Sequence, residues 1–127
     1  MTDNAISRDI FERLRQSTAG NPAEFTELCR DYLVDARSAI SGMRTAIADG
    51  DAHELRARSH YLRGSSMMLG AKQLSQCCAT LEHMARNSEL GSAEPMLQEV
   101  VAALEAVEAE LIRELGPVVA PAEGSAA

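Results

Sequence analysis

The sequence contains few aromatic residues and few basic ones. Of its 127 residues none is Trp, two are Phe and two are Tyr. Lysine and arginine total 12 against 19 aspartates and glutamates, which gives a formal net charge of −7. Proteins that bind nucleic acid usually combine a basic surface with aromatic side chains that stack on bases. We therefore expect no nucleic-acid partner.

Long hydrophobic runs are also missing, and no apolar secretory segment follows Met1, so we expect a cytoplasmic protein without membrane association. The three cysteines are an odd number, and two of them, Cys77 and Cys78, are adjacent. Adjacent helical residues point about 100° apart, and zinc normally takes four ligands in paired spacings. We expect no metal site, including one built with His83, and no disulfides. Reduced, buried thiols are the expected state.

The sequence does have helical periodicity along most of its length. Apolar residues recur at spacings of three and four, and helix start and stop signals divide the chain into segments. The first predicted elements are a short helix from about Ser7 to Ser17 and a long helix from Pro22 to Gly50 with Asn21 as N-cap. A third helix is predicted from Asp51 to Gly70 and a fourth from Ala71 to about Arg86. A turn from Asn87 to Gly91 then leads to a last helix, which Ser92 opens and Gly116 ends.

These segments predict an all-α fold. Four substantial helices with short links favour an antiparallel up-down-up-down four-helix bundle, with the short N-terminal helix across one end. We expect one domain over residues 1–116 and a disordered C-terminal tail over residues 117–127.

One helix carries an unusual group of residues around His60. At about 100° per residue, Arg63 lies roughly 60° to one side of His60 and Gly64 roughly 40° to the other. Leu62 and Ser66 fall on a different face, so the imidazole should face water beside a positive charge. Glycine in the middle of a helix costs about 1 kcal/mol relative to alanine. Gly64 has two alternative explanations, which are clearance for an incoming group and close packing between helices.

A longer pattern of 23 positions begins at the same histidine: His60-x-Leu62-Arg63-Gly64-Ser65-Ser66-x-x-x-Gly70-Ala71-x-x-Leu74-x-x-x-Cys78-x-x-Leu81-Glu82. This pattern resembles the signature of the histidine-containing phosphotransfer (HPt) domain, which relays phosphate between receiver domains in two-component signalling. It implies that His60 is the phosphoacceptor, through the ring nitrogen remote from the backbone, that Arg63 stabilises the phosphoryl group and that Gly64 gives steric clearance. The family usually has lysine where Arg63 stands, so a planar guanidinium replaces a point charge.

The resemblance also implies a role. The protein would accept a phosphoryl group on His60 from a receiver aspartate and pass it to another receiver. It would be a carrier rather than an enzyme, without an ATP site or cofactor of its own, since Mg²⁺ belongs to the receiver. Its partners would be receiver domains and a hybrid or sensor histidine kinase, and we expect a monomer. The alternatives are a non-phosphorylated HPt-like module that binds a receiver or kinase, a dimeric phosphotransferase, and a purely structural bundle.

Residues around the motif are candidates for a docking surface, because transient interfaces combine an apolar patch with a polar rim. The expected contacts are Arg56, Tyr61, Met67, Lys72 and Arg86.

His53 and Glu82 are two further candidates for the site. His53 lies seven residues before His60 on the same helical stripe but has Ala57 where His60 has Gly64, so we interpret it as a surface residue. Glu82, where family members often have glutamine, stands somewhat past the level of His60 on the next helix, within reach of the rim of the site. Because a carboxylate repels phosphate, we interpret Glu82 as half of an ordinary i,i+4 pair with Arg86.

Overall fold

The computed structural model describes residues 4–18 and 21–116, and this part of the chain is all-helical. Its helices are α1 (Arg8–Gln16), α2 (Pro22–Asp49), α3 (Ala52–Leu69), α4 (Lys72–Arg86) and α5 (Ala93–Leu115), with a 3₁₀ turn at Leu90–Ser92 before α5. The five helices were all predicted, and their bounds differ from the expected ones by about one residue. The tail expected over residues 117–127 lies outside the described residues.

The ends of α2 and the start of α3 follow from local side-chain chemistry. The Asn21 side chain accepts a hydrogen bond from the backbone N–H of Glu24 at 3.1 Å, and Pro22 occupies the first helical position. Gly50 ends α2 in the left-handed conformation with φ +69°. Asp51 then accepts from the backbone N–H of Glu54 at 3.0 Å. These caps make the boundary between α2 and α3 readable from the sequence.

Gly70 ends α3 under two separate constraints. Its φ of +94° is one that residues with a Cβ rarely adopt. A Cβ at this position would also lie 3.1 Å from the side chain of Ile10 and 3.2 Å from the backbone oxygen of Ser7. The Gly70 carbonyl accepts a hydrogen bond from the Ser7 N–H at 2.8 Å. The segment that leads into α1 therefore packs directly on the turn between α3 and α4.

The buried apolar side chains form one core. Helix α3 packs against α2 and α4, and α5 also packs against α2 and α4, while α1 contacts α3. The rings of Phe11 and Phe25 meet edge to face at 5.2 Å and join α1 to the start of α2. Cys29, Cys77 and Cys78 are buried and none of them forms a disulfide among the described residues.

Polar contacts between neighbouring helices fix their register. The Tyr32 hydroxyl of α2 lies 2.8 Å from the Ser66 hydroxyl of α3. The Ser75 hydroxyl of α4 donates to the Arg63 carbonyl of α3 at 3.1 Å. Among the described residues, no helix is both long and apolar enough to span a membrane.

Two buried serines of α3 should respond oppositely to alanine. Ser59 Oγ has no hydrogen-bond partner among the described residues, whereas Ser66 Oγ pairs with Tyr32. A buried, unpaired hydroxyl costs free energy, and a paired one contributes about 1 kcal/mol. We expect Ser59→Ala to raise the free energy of unfolding by up to about 1 kcal/mol and Ser66→Ala to lower it by a similar amount, in urea denaturation followed by circular dichroism. A Ser59→Ala loss as large as that of Ser66→Ala would contradict this.

Candidate functional site

Helix α3 presents His60 to solvent and buries a different face in the core. The His60 side chain is 66% exposed. Ser59, Leu62 and Ser66 are fully buried on the core-facing side of the same helix. The separation of the imidazole from the apolar face is the one that the 3.6-residue period predicts.

The imidazole is held from the neighbouring helix by Glu82. His60 Nδ1 lies 3.0 Å from Glu82 Oε2, and the Glu82 side chain is 7% exposed. Arg63 Nε donates to Glu82 Oε1 at 2.8 Å, and Arg86 Nη2 donates to Oε2 at 3.3 Å. The expected i,i+4 pair of Glu82 with Arg86 is present, but the interpretation of Glu82 as only half of that pair is wrong. Glu82 is a buried carboxylate on which the histidine and two arginines converge.

These partners keep Glu82 ionised. Burial alone would raise the pKa of Glu82, because a low-dielectric environment disfavours the charged form. The hydrogen bonds from His60 and Arg63, together with their charges, outweigh burial and lower the pKa of Glu82 below its ordinary value. The site therefore holds a fixed negative charge behind an exposed imidazole at neutral pH.

The contacts of Nδ1 select a tautomer of His60. A carboxylate accepts and a guanidinium donates, so the two cannot both be satisfied by Nδ1. Arg63 Nη2 also lies 3.1 Å from Nδ1, and the Nε of the same guanidinium donates to Glu82. An unprotonated Nδ1 would place its lone pair against the carboxylate. We infer that Nδ1 carries the proton and donates to Glu82, which leaves a lone pair on Nε2.

A groove surrounds the imidazole and is rich in positive charge. It is lined by His53, Arg56, Ala57, His60, Arg63, Glu82 and Arg86. Three arginines and one carboxylate in this groove contrast with the net charge of −7 for the whole chain. The structure thus brings together the predicted phosphoacceptor, the predicted stabilising cation and two of the expected docking residues, Arg56 and Arg86.

The other expected docking residues lie apart from this groove. Met67 and Lys72 line a second groove that shares Arg63 with the first, and Met67 is 56% exposed. Tyr61 lies on another side of α3, where its hydroxyl donates to Asp35 of α2 at 3.2 Å. That hydrogen bond raises the pKa of Tyr61. The structure therefore connects Met67 and Lys72 with the site through Arg63 but does not place Tyr61 beside His60.

Gly64 faces open space. No side chain and no neighbouring helix comes within 4 Å of a Cβ built at this position. Close packing between helices, one of the two explanations for this glycine, is therefore wrong. Clearance for a group that approaches from outside remains.

Sequence reasoning missed the contact between Glu82 and His60, although a signal for it was present. Cys78, Leu81 and Ala85 form the buried stripe of α4, and Glu82 lies four residues after the first and three before the last. A glutamate on a buried stripe needs partners. In the described ranges, no group of three or more histidine, cysteine, aspartate and glutamate side chains is placed to hold a metal ion.

Comparison with known proteins agrees with this geometry. The family model described as the Hpt domain matches residues 27–110, and the chain therefore belongs to the Hpt domain family. Its fold is similar to that of histidine-containing phosphotransfer protein B (HptB) from Pseudomonas aeruginosa PAO1, with a TM-score of 0.83 and 23% sequence identity. The alignment covers 90% of this chain and 96% of that one. A search of curated proteins gives no significant match.

The tautomer of His60 can be measured directly. We expect ¹⁵N-edited NMR of the neutral ring to show a protonated Nδ1 and an unprotonated Nε2. Glu82→Gln should preserve this state because the amide oxygen still accepts, whereas Glu82→Ala should shift the ring towards the Nε2–H form that is usual in water. A wild-type ring with its proton on Nε2 would mean that Arg63, rather than Glu82, determines the state of Nδ1.

Proposed function

We propose that this protein is a phosphorelay intermediate that accepts a phosphoryl group on His60 from a receiver aspartate and passes it to another receiver. One observation carries the proposal: an exposed imidazole has its Nδ1 held by a buried carboxylate, while no described residue bonds to its Nε2. Membership of the Hpt domain family supports the same role.

The transfer step needs little from this chain beyond position and charge. The lone pair of His60 Nε2 attacks phosphorus, the bond from phosphorus to the aspartyl oxygen breaks, and the carboxylate leaves with the electron pair. The negative charge of the transferring group is spread over its equatorial oxygens. Arg63, Arg56 and Arg86 line the groove in which those oxygens would lie. Their charges favour the bound phosphoryl group.

We propose that the chain is a carrier without an ATP site or cofactor, and that the receiver supplies Mg²⁺. Members of the Hpt family interact with receiver domains and kinases in phosphorelays. For this protein we propose receiver domains and a hybrid or sensor histidine kinase as partners, and a monomer in the cytoplasm. Arg56, Met67, Lys72 and Arg86 would contact the receiver around His60. Tyr61 would contribute at the margin of that surface.

We further propose that residues 1–116 form one domain in which α2 to α5 are an up-down-up-down bundle with α1 across one end. The contacts of α1 and the residues before it support this arrangement. Ser7 bonds to Gly70 at the end of α3, Phe11 contacts Phe25 at the start of α2, and Arg8 pairs with Glu110 near the end of α5. These three helix ends would lie at the same end of the bundle.

Replacing His60 should abolish phosphorylation without unfolding the protein. We expect a radiolabelled phospho-receiver to label wild type and His53→Gln but not His60→Gln, because Nε2 of His60 is the acceptor and His53 is an exposed residue of the same helix. The label should be labile in acid and stable in base. Circular dichroism should show equal helix content for the three proteins. Label that persists in His60→Gln, or no label on wild type across a broad panel of receivers, would contradict the role; the second outcome would favour a non-phosphorylated binding module.

Gly64 should lower the stability of α3 and give a receiver access to His60. Gly64→Ala should raise the free energy of unfolding by up to about 1 kcal/mol, because a helical glycine is replaced where nothing obstructs a Cβ. Gly64→Gln should slow phosphotransfer at least tenfold by obstructing the receiver. Ala48→Gln on the exposed surface of α2 adds similar bulk away from the groove and should transfer at the wild-type rate. Wild-type transfer by Gly64→Gln would remove the case for clearance.

A further inference from the structure

We propose that Glu82 keeps a proton on Nδ1 of His60 while Nε2 carries the phosphoryl group, so that the ring leaves as neutral imidazole when the group is passed on. This role rests on the proposed function of His60. It makes Glu82 a positioning residue. Its charge, and not its hydrogen bond alone, affects the step in which phospho-His60 passes its phosphoryl group on.

The packing around Glu82 fixes its carboxylate beside the ring. Its side chain is 7% exposed, and its neighbours Leu81 and Ala85 are buried in the core, so the carboxylate cannot turn away into water. Both of its oxygens are held, Oε1 by Arg63 and Oε2 by His60 and Arg86. A phosphoryl group on Nε2 is attached to the other nitrogen of the ring, so it leaves the contact between Nδ1 and Oε2 in place.

The proton on Nδ1 decides how well the ring can leave. When water or an aspartate attacks the phosphorus of phospho-His60, the bond between phosphorus and Nε2 breaks and its electron pair stays on Nε2. With Nδ1 protonated, the product is neutral imidazole in its Nδ1–H form. Without that proton, the product is an imidazolate, which is a far poorer leaving group. Glu82 compensates the positive charge of the protonated phospho-ring and therefore favours the form that reacts.

The other charged and titratable groups near the ring act differently. His53, Arg56 and Arg63 of α3 and Arg86 of α4 line the same groove, and the arginines oppose a positive ring while attracting the phosphoryl oxygens. Burial raises the pKa of Cys78, which lies behind Glu82 on α4, to about 12, so that thiol stays neutral. Of the residues that line this groove in the described part of the chain, Glu82 alone is a carboxylate.

The role of Glu82 can be tested by hydrolysis of phospho-His60 without a partner protein. Wild type, Glu82→Gln and Glu105→Gln are phosphorylated with potassium phosphoramidate, and ³¹P NMR follows hydrolysis of phospho-His60 from pH 6 to pH 10. Glutamine keeps the hydrogen bond and removes the charge. Glu105 is an exposed residue of α5, so its glutamine variant matches the change in net charge.

Hydrolysis should slow at high pH in every variant, as Nδ1 loses its proton. We expect the midpoint of this decline to lie about one pH unit lower in Glu82→Gln than in wild type, since an adjacent opposite charge shifts a proton equilibrium by about that much. On the alkaline side Glu82→Gln should then hydrolyse about tenfold more slowly. The Glu105→Gln profile should superimpose on wild type.

Superimposed profiles for wild type and Glu82→Gln, with both proteins labelled on His60, would overturn the role of Glu82 and leave the proposed function intact. Failure of His60 in wild type to take label from phospho-receivers and from phosphoramidate would overturn both. Should Glu82→Gln fail to fold, ¹⁵N NMR of phosphorylated wild type decides the matter. Nδ1 protonated at pH 8 supports the role, and Nδ1 unprotonated at pH 7 overturns it.

Discussion

The arrangement of the site depends on the burial of one carboxylate. An isolated buried charge is expensive, and breaking a buried ion pair costs several kcal/mol because the remaining charge has no partner. Glu82 meets that cost with hydrogen bonds from His60, Arg63 and Arg86. The positions of the exposed His60, Arg63 and Arg86 side chains thus follow from the need of the buried Glu82 carboxylate for hydrogen-bond donors. Since Glu82 belongs to the packed stripe of α4, the orientation of the imidazole is tied to the packing of α3 on α4.

That packing is in turn set by the turn at Gly70. A left-handed residue between α3 and α4 fixes how the second helix returns along the first, and the Ser75 hydroxyl then bonds to the Arg63 carbonyl. A shift of α4 by one residue would rotate its side chains by about 100° and take Glu82 away from His60. The chemistry at the exposed ring therefore depends on a glycine ten residues further along the chain.

The helices could be predicted from the sequence because their signals are local. Asn21, Pro22, Gly50 and Asp51 cap or end helices through residues within four positions of themselves, and His60 could be chosen from its neighbours on one helix. The partner of Glu82 is 22 residues away on another helix, and a spacing rule for a single helix finds Arg86 instead. The contact of Tyr61 could not be predicted from the spacing on a single helix either. It follows His60 directly, yet one step along a helix turns a side chain by about 100° and directs it to Asp35 of α2.

The segment before α1 brings the two ends of the described chain together. The backbone N–H of Ile6 donates to Glu110, 104 residues away, and Arg8 pairs with Glu110 and Glu114. The same segment packs on Gly70, about 15 Å along α3 from His60 at 1.5 Å per residue. A fluorophore attached at the first or last of the described residues would thus join the molecule near Gly70, about 15 Å along α3 from the imidazole, and not beside the ring itself.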